Sequence, residues 1–86
     1  MVEDLTLRDA RGRLSRYLVG LREEGGDHFQ LPISQSLLAR LLGLTGETLS
    51  RTFRTLREEG TLESDRSGQI QVLNWESLQQ AAGEPT

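Results

Sequence analysis

The chain has 86 residues, 35% of them hydrophobic and 27% charged, with a formal net charge of −3; that length folds as one domain and hides only about 60–65% of the surface of the unfolded chain. No cysteine is present, which excludes disulfides, iron–sulfur ligation and thiol nucleophiles, and no apolar run approaches the roughly 18 residues of a membrane span. The acidic start Met1-Val2-Glu3-Asp4 lacks the basic and apolar character of a secretory signal, so a cytoplasmic location without a membrane partner is expected.

Thr6-Leu7-Arg8-Asp9 reads as a capping box, after which Leu7, Ala10, Leu14, Leu18 and Leu21 recur at helical spacing until Gly25-Gly26. A long amphipathic first helix is predicted there. The single histidine, His28, has neither a cysteine nor a second histidine to share a transition metal and reads as a loop residue. Phe29-Gln30-Leu31 predicts a short strand, and Pro32, which cannot donate to a ladder, sets it at the edge of a small sheet. Ser34 caps a second helix with Leu37, Leu38, Ala39, Leu41 and Leu42, closed by Gly43. Thr45 caps a third helix at about 45–59, with Leu49, Phe53 and Leu56 at i, i+4 and i+7 and an end near Gly60. Two helices about so short a glycine turn make a helix-turn-helix. Leu62 opens an extended stretch, Asp65-Arg66-Ser67-Gly68 carries turn chemistry, and Ile70 and Val72 alternate with Gln69 and Gln71, which predicts a hairpin or wing. Asn74 caps a closing helix with Trp75 and Leu78 toward the core, before Gly83-Glu84-Pro85-Thr86 trails off. The order helix, strand, helix, helix, hairpin, helix is a mainly α domain with a small β-sheet (α+β), a winged helix-turn-helix.

The net negative charge runs against nucleic-acid binding, which cations drive by neutralising phosphate; its distribution runs the other way. From Thr45 to Arg57, Arg51, Arg54 and Arg57 are opposed by Glu47 alone, while Glu23, Glu24, Asp27, Glu58, Glu59, Glu63 and Glu84 lie elsewhere. Every cation is an arginine, which suits bidentate contact with guanine or phosphate and is equally the bias of a GC-rich genome. On a wheel of about 100° per residue, Leu49, Phe53 and Leu56 form one stripe of the third helix, and Glu47, Ser50, Arg51 and Arg54 gather opposite. In a helix-turn-helix the N-terminal half of the second helix enters the major groove, where arginine donates twice to guanine and glutamate accepts from cytosine. Glu47 and Arg51 are of those types in that half. The plainer reading is a solvated face on which Glu47 and Arg51 form an i, i+4 ion pair worth a few tenths of a kcal/mol. The short turn, the small Ala39 and the wing favour the DNA reading, because together they present this face unobstructed. Candidate phosphate contacts are Ser34, Gln35, Ser36, Thr45, Thr48 and Arg54, with Arg66 in the wing; Ser34 and Thr45 serve as caps in either case.

Leu31-Pro32-Ile33-Ser34, Leu38-Ala39-Arg40-Leu41-Leu42-Gly43-Leu44-Thr45 and Glu47-Thr48-Leu49-Ser50-Arg51 resemble the signature of the CRP/FNR family of bacterial transcription regulators. More loosely, the likeness runs from the first helix through the Leu62 to Val72 wing to Asn74-Trp75. It implies a C-terminal winged helix-turn-helix of a longer regulator, with Glu47, Ser50 and Arg51 touching bases. The Glu47-x-x-Ser50-Arg51 pattern is closer to the FNR-like branch, whose members resemble one another in recognising TTGAT-type half-sites, than to the cyclic-AMP receptor branch with glycine at the Ser50 position. Also implied are a homodimeric parent that reads a palindrome with half-site centres roughly 34 Å apart and a meeting with RNA polymerase through that parent. Nothing before Leu5 supplies a sensor or dimerisation region, so residues 1–86 read as the output domain alone, a monomer that binds double-stranded DNA weakly and carries no cofactor.

A protein-interaction module is the alternative, since winged helices use the same surface against other proteins. No enzyme is expected: there is no nucleophile–base pair of recognisable spacing, no glycine-rich phosphate loop and no metal cluster. Glu63 and Asp65, close together beside a turn, read as solvated carboxylates.

Overall fold

A computed structural model describes residues 2–65 and 67–83, except for the side chains of residues 2–6 and 22–25. The elements are α1 (Val2–Gly25), β1 (His28–Gln30), α2 (Gln35–Leu42), α3 (Gly46–Glu58), β2 (Leu62–Ser64), β3 (Gln69–Val72) and α4 (Trp75–Ala82). This is the order and class read from the sequence. Arg66 and the trailing Glu84-Pro85-Thr86 lie outside the described residues.

Two boundaries differ from expectation. Helix α1 starts at Val2, so Thr6 stands inside it and not at its cap. The Asp9 carboxylate, read as the far end of a capping box, instead pairs forward along the helix with Arg13 at 2.8 Å. Strand β1 begins one residue earlier than predicted, with His28 opposite Gln71, Phe29 opposite Ile70 and Gln30 opposite Gln69. His28 is therefore an exposed strand residue and not a loop residue. Leu31 still donates its N–H to the Gly68 carbonyl at 2.8 Å; Pro32 has no N–H to extend the ladder, and the strand stops.

The antiparallel sheet has the order β1-β3-β2, which makes β1 an edge strand as its proline foretold. Leu62 pairs with Val72 and Ser64 with Ile70. Leu62, Ile70 and Val72 are buried on the inner face, whereas His28, Glu63 and Gln71 are exposed on the outer one, as the twofold alternation of a strand requires. Ala10, Leu14 and Leu18 of α1 are buried, and α1 packs against α4 and α3. The core joins Leu14 and Leu18 to Leu38, Leu49, Phe53, Leu56, Ile70 and Leu78. Each such side chain contributes about 1.5–3 kcal/mol by leaving water.

Arginines of α1 reach the C-terminal ends of the other helices. Arg13 donates to the Leu42 carbonyl at 2.8 Å at the end of α2, and Arg16 to the Ala82 carbonyl at 3.0 Å at the end of α4. Arg11 pairs with Glu59, the cap of α3, at 3.0 Å. A cation there meets carbonyls that lack an intrahelical partner and the negative end of the helix dipole. Trp75, at the start of α4, donates its indole N–H to the Asp27 carboxylate.

Candidate nucleic-acid interface

The turn between α2 and α3 is built by Gly43, whose φ of +73° is open to glycine at least cost. Its N–H donates to the Arg40 carbonyl at 3.1 Å, and the Leu44 N–H to the Ala39 carbonyl at 2.8 Å, the paired bonds of a Schellman closure. Ala39 is 2% exposed, a small side chain where the chain must fold back on α1 and α3. Thr45 then turns extended and accepts from the Thr48 N–H at 3.1 Å, capping α3; Ser34 caps α2 by accepting from the Leu37 N–H at 3.1 Å. Both hydroxyls thus act as the sequence demanded of caps.

Helix α3 divides into two faces. Leu49, Thr52, Phe53 and Leu56 are buried; the Thr52 hydroxyl donates to the Thr48 carbonyl at 2.7 Å, so this polar group is satisfied within the core. Glu47, Ser50, Arg51 and Arg54 are exposed on the other side. Arg51 and Glu47 form the i, i+4 pair at 3.1 Å with side chains 48% and 77% exposed, where solvent screening holds the gain to a few tenths of a kcal/mol. The pair is weak enough to exchange for a ligand's hydrogen bonds. Arg54 lies 3.9 Å from Glu58.

In the wing, the Asp65 carboxylate accepts from the Ser67 N–H at 2.9 Å, the Ser67 hydroxyl at 2.7 Å and the Gln69 N–H at 3.0 Å. These bonds favour the ionised form, the Ser67 hydroxyl most of all, and hold Asp65 below its ordinary pKa of 3.8. A groove of about 600 Å³ runs between the start of α2, α3 and the wing; its polar lining includes Ser34, Gln35, Ser50, Arg57, Ser64 and Ser67.

Residues 12–81 match the model of the Crp-like helix-turn-helix domain. The chain belongs to that family. A probable transcriptional regulator, flp, of Lacticaseibacillus casei is 43% identical over 72 residues, covering 81% of this chain and 32% of the relative. The nitrogen fixation regulation protein FixK of Rhizobium meliloti (strain 1021) is 35% identical over 68 residues, covering 77% of this chain and 32% of FixK. The chain therefore spans about a third of the length of these curated relatives. Among solved structures, the catabolite activator protein of Thermus thermophilus superposes with a TM-score of 0.79 at 33% identity, over 94% of this chain and 37% of that one. The resemblance to CRP/FNR regulators read from the sequence stands, and neither this family nor these relatives is an enzyme.

In this Crp-like domain the predicted site residues fall into four groups. Glu47 and Arg51 sit together on the outer face of α3. Ser34, Gln35 and Ser50 share the groove with the wing, whereas Ser36, Thr45, Thr48 and Arg54 do not line it. Arg66 lies outside the described residues. Sequence reasoning missed Arg57 as a site residue, together with Ser64 and Ser67. Arg57 donates to the Ser64 hydroxyl at 2.9 Å and stands two helical turns beyond Ser50. Seven residues past Ser50, at about 100° per residue it falls on Ser50's side; only the return of the hairpin reveals its partner. No described helix is long and apolar enough to cross a membrane.

Proposed function

We propose that this Crp-like domain binds promoter DNA sequence-specifically through α3, as the cytoplasmic output domain of a bacterial transcription regulator. The observation that carries the reading is the outer face of α3's N-terminal half, where Glu47, Ser50 and Arg51 stand exposed beyond a tight turn. A guanidinium there donates two bonds to guanine, and a carboxylate accepts from cytosine. Ser34, Gln35, Ser36, Thr45, Thr48, Arg54 and Arg66 are the proposed backbone contacts, which set register without reading sequence. The names of the two relatives, both regulators, support the same role. By the FNR-like pattern Glu47-x-x-Ser50-Arg51, the parent is a homodimer that reads palindromic TTGAT-like half-sites and meets RNA polymerase. The domain itself needs no cofactor.

One observation favours the second reading, a protein-interaction module. Leu37 and Leu41, one turn apart on α2, are 48% and 62% exposed. They lie off the α3 face, whose exposed side is polar, so the DNA reading leads. The test is the affinity of the chain for a duplex with two TTGAT half-sites in palindrome against a scrambled duplex, at two salt concentrations. Arg51→Ala is expected to cost about 1–3 kcal/mol and to erode the preference for the intact site. Equal affinity for both duplexes, unmoved by Arg51→Ala, overturns sequence-specific recognition by α3.

A further inference from the structure

We infer that Arg57 is a DNA-backbone contact that holds a phosphodiester group in the groove between the start of α2 and the wing. This deepens the DNA reading and rests on it.

The three arginines of α3 differ in what they touch. Arg51 lies 3.1 Å from Glu47 and Arg54 3.9 Å from Glu58, so both share their charge with a carboxylate. Arg57 donates to a neutral hydroxyl, that of Ser64, at 2.9 Å, and among the described residues no carboxylate pairs with it. A guanidinium has five N–H donors. One bond to a hydroxyl fixes its direction, leaves its charge unneutralised and leaves donors for a planar, bidentate partner.

The surroundings suit a phosphate. Arg57 is the cation among the described residues that line the groove, and Ser34, Gln35, Ser50, Ser64 and Ser67 add hydroxyl and amide groups. Asp65 also lines it, with one carboxylate oxygen, Oδ1, taken up by the Ser67 N–H, the Ser67 hydroxyl and the Gln69 N–H of the wing. Ser50, a proposed base contact, borders the same groove. A helix whose N-terminal half enters the major groove brings the adjoining strand to its flank, where Arg57, anchored on the wing, waits on the outer side of α3.

The experiment compares the wild-type chain with Arg57→Gln and Arg57→Lys, binding a palindromic TTGAT duplex and a scrambled duplex between about 50 and 200 mM salt. Each neutralised phosphate adds about 0.9 to the slope of log K against log salt. Arg57→Gln is therefore expected to lose about 3.5-fold less affinity than wild type over that fourfold salt range, on both duplexes alike. Arg57→Lys keeps the wild-type slope. A single methylphosphonate moved along the duplex is expected to weaken wild type at one position where Arg57→Gln is indifferent. A wild-type slope in Arg57→Gln, or the Arg57→Gln slope reproduced by Arg57→Lys, overturns the inference; in the latter case Arg57 merely braces the wing. A wild-type chain that binds neither duplex with salt-dependent affinity overturns the DNA reading itself, and this inference with it.

Discussion

Gly43→Ala tests how the helix-turn-helix is held. An alanine at a left-handed φ costs roughly 1–2 kcal/mol, and Gly60, at φ +76° with nothing within 4 Å of an added Cβ, isolates that cost. Gly43 has φ +73° and a second obstacle, because its added Cβ would lie 3.1 Å from Arg13 Nη1. That nitrogen donates to the Leu42 carbonyl at 2.8 Å, so giving way to the added Cβ weakens the bond between α1 and the end of α2. The Arg13 side chain is 41% exposed and water replaces part of the loss, which leaves about 1 kcal/mol. Gly60→Ala is thus expected to destabilise the domain by about 1–2 kcal/mol and Gly43→Ala by about 2–3 kcal/mol in urea unfolding at constant m. In an Arg13→Ala background the cost of Gly43→Ala should fall to that of Gly60→Ala, a coupling of about 1 kcal/mol. Equal costs for the two glycines, or strict additivity with Arg13→Ala, would refute the reasoning.

Two buried hydroxyls, Ser15 and Thr61, have no hydrogen-bond partner among the described residues. Ser15→Ala is expected to stabilise the domain by about 0.5–2 kcal/mol through lost desolvation and better helix propensity, and isosteric Thr61→Val to be neutral or stabilising; a loss of more than about 1 kcal/mol in either urea curve contradicts this. The lowered pKa of Asp65 means that its turn is stabilised above the ordinary 3.8 and loses that contribution as pH falls through the folded value. Carboxyl NMR should therefore find Asp65 titrating below 3.8 and Ser67→Ala moving it upward, while an unmoved titration would remove the Ser67 hydroxyl as the main cause.

Helices α2 and α3 were legible because their signals are local. A capping hydroxyl, a closing glycine and a hydrophobic stripe all lie within a few residues of one another, and the structure returns the Ser34 and Thr45 caps and the Gly43 turn where the sequence put them. The start of α1 was misread because Thr6-x-x-Asp9 satisfies a capping pattern and equally suits a helix interior when Arg13 follows Asp9 by one turn. Only the neighbour register shows that the ladder of β1 takes in His28. The contacts of Arg13 with Leu42, Arg16 with Ala82 and Arg57 with Ser64 join distant elements and left no local trace. Of the leucines in α2, the pattern did not separate buried Leu38 from exposed Leu37 and Leu41, because so short a helix is leucine-rich nearly all round.

The most direct test of α3 as a DNA-reading helix is a titration of a palindromic TTGAT duplex into the isotopically labelled 86-residue chain, followed by amide and arginine Nε chemical shifts. Recognition by α3 predicts that the largest changes fall at Glu47, Ser50 and Arg51, with smaller ones at the start of α2 and in the wing, and that Leu41 and α4 stay still. Largest changes at Leu37 and Leu41, or none at Glu47 to Arg51, would contradict it.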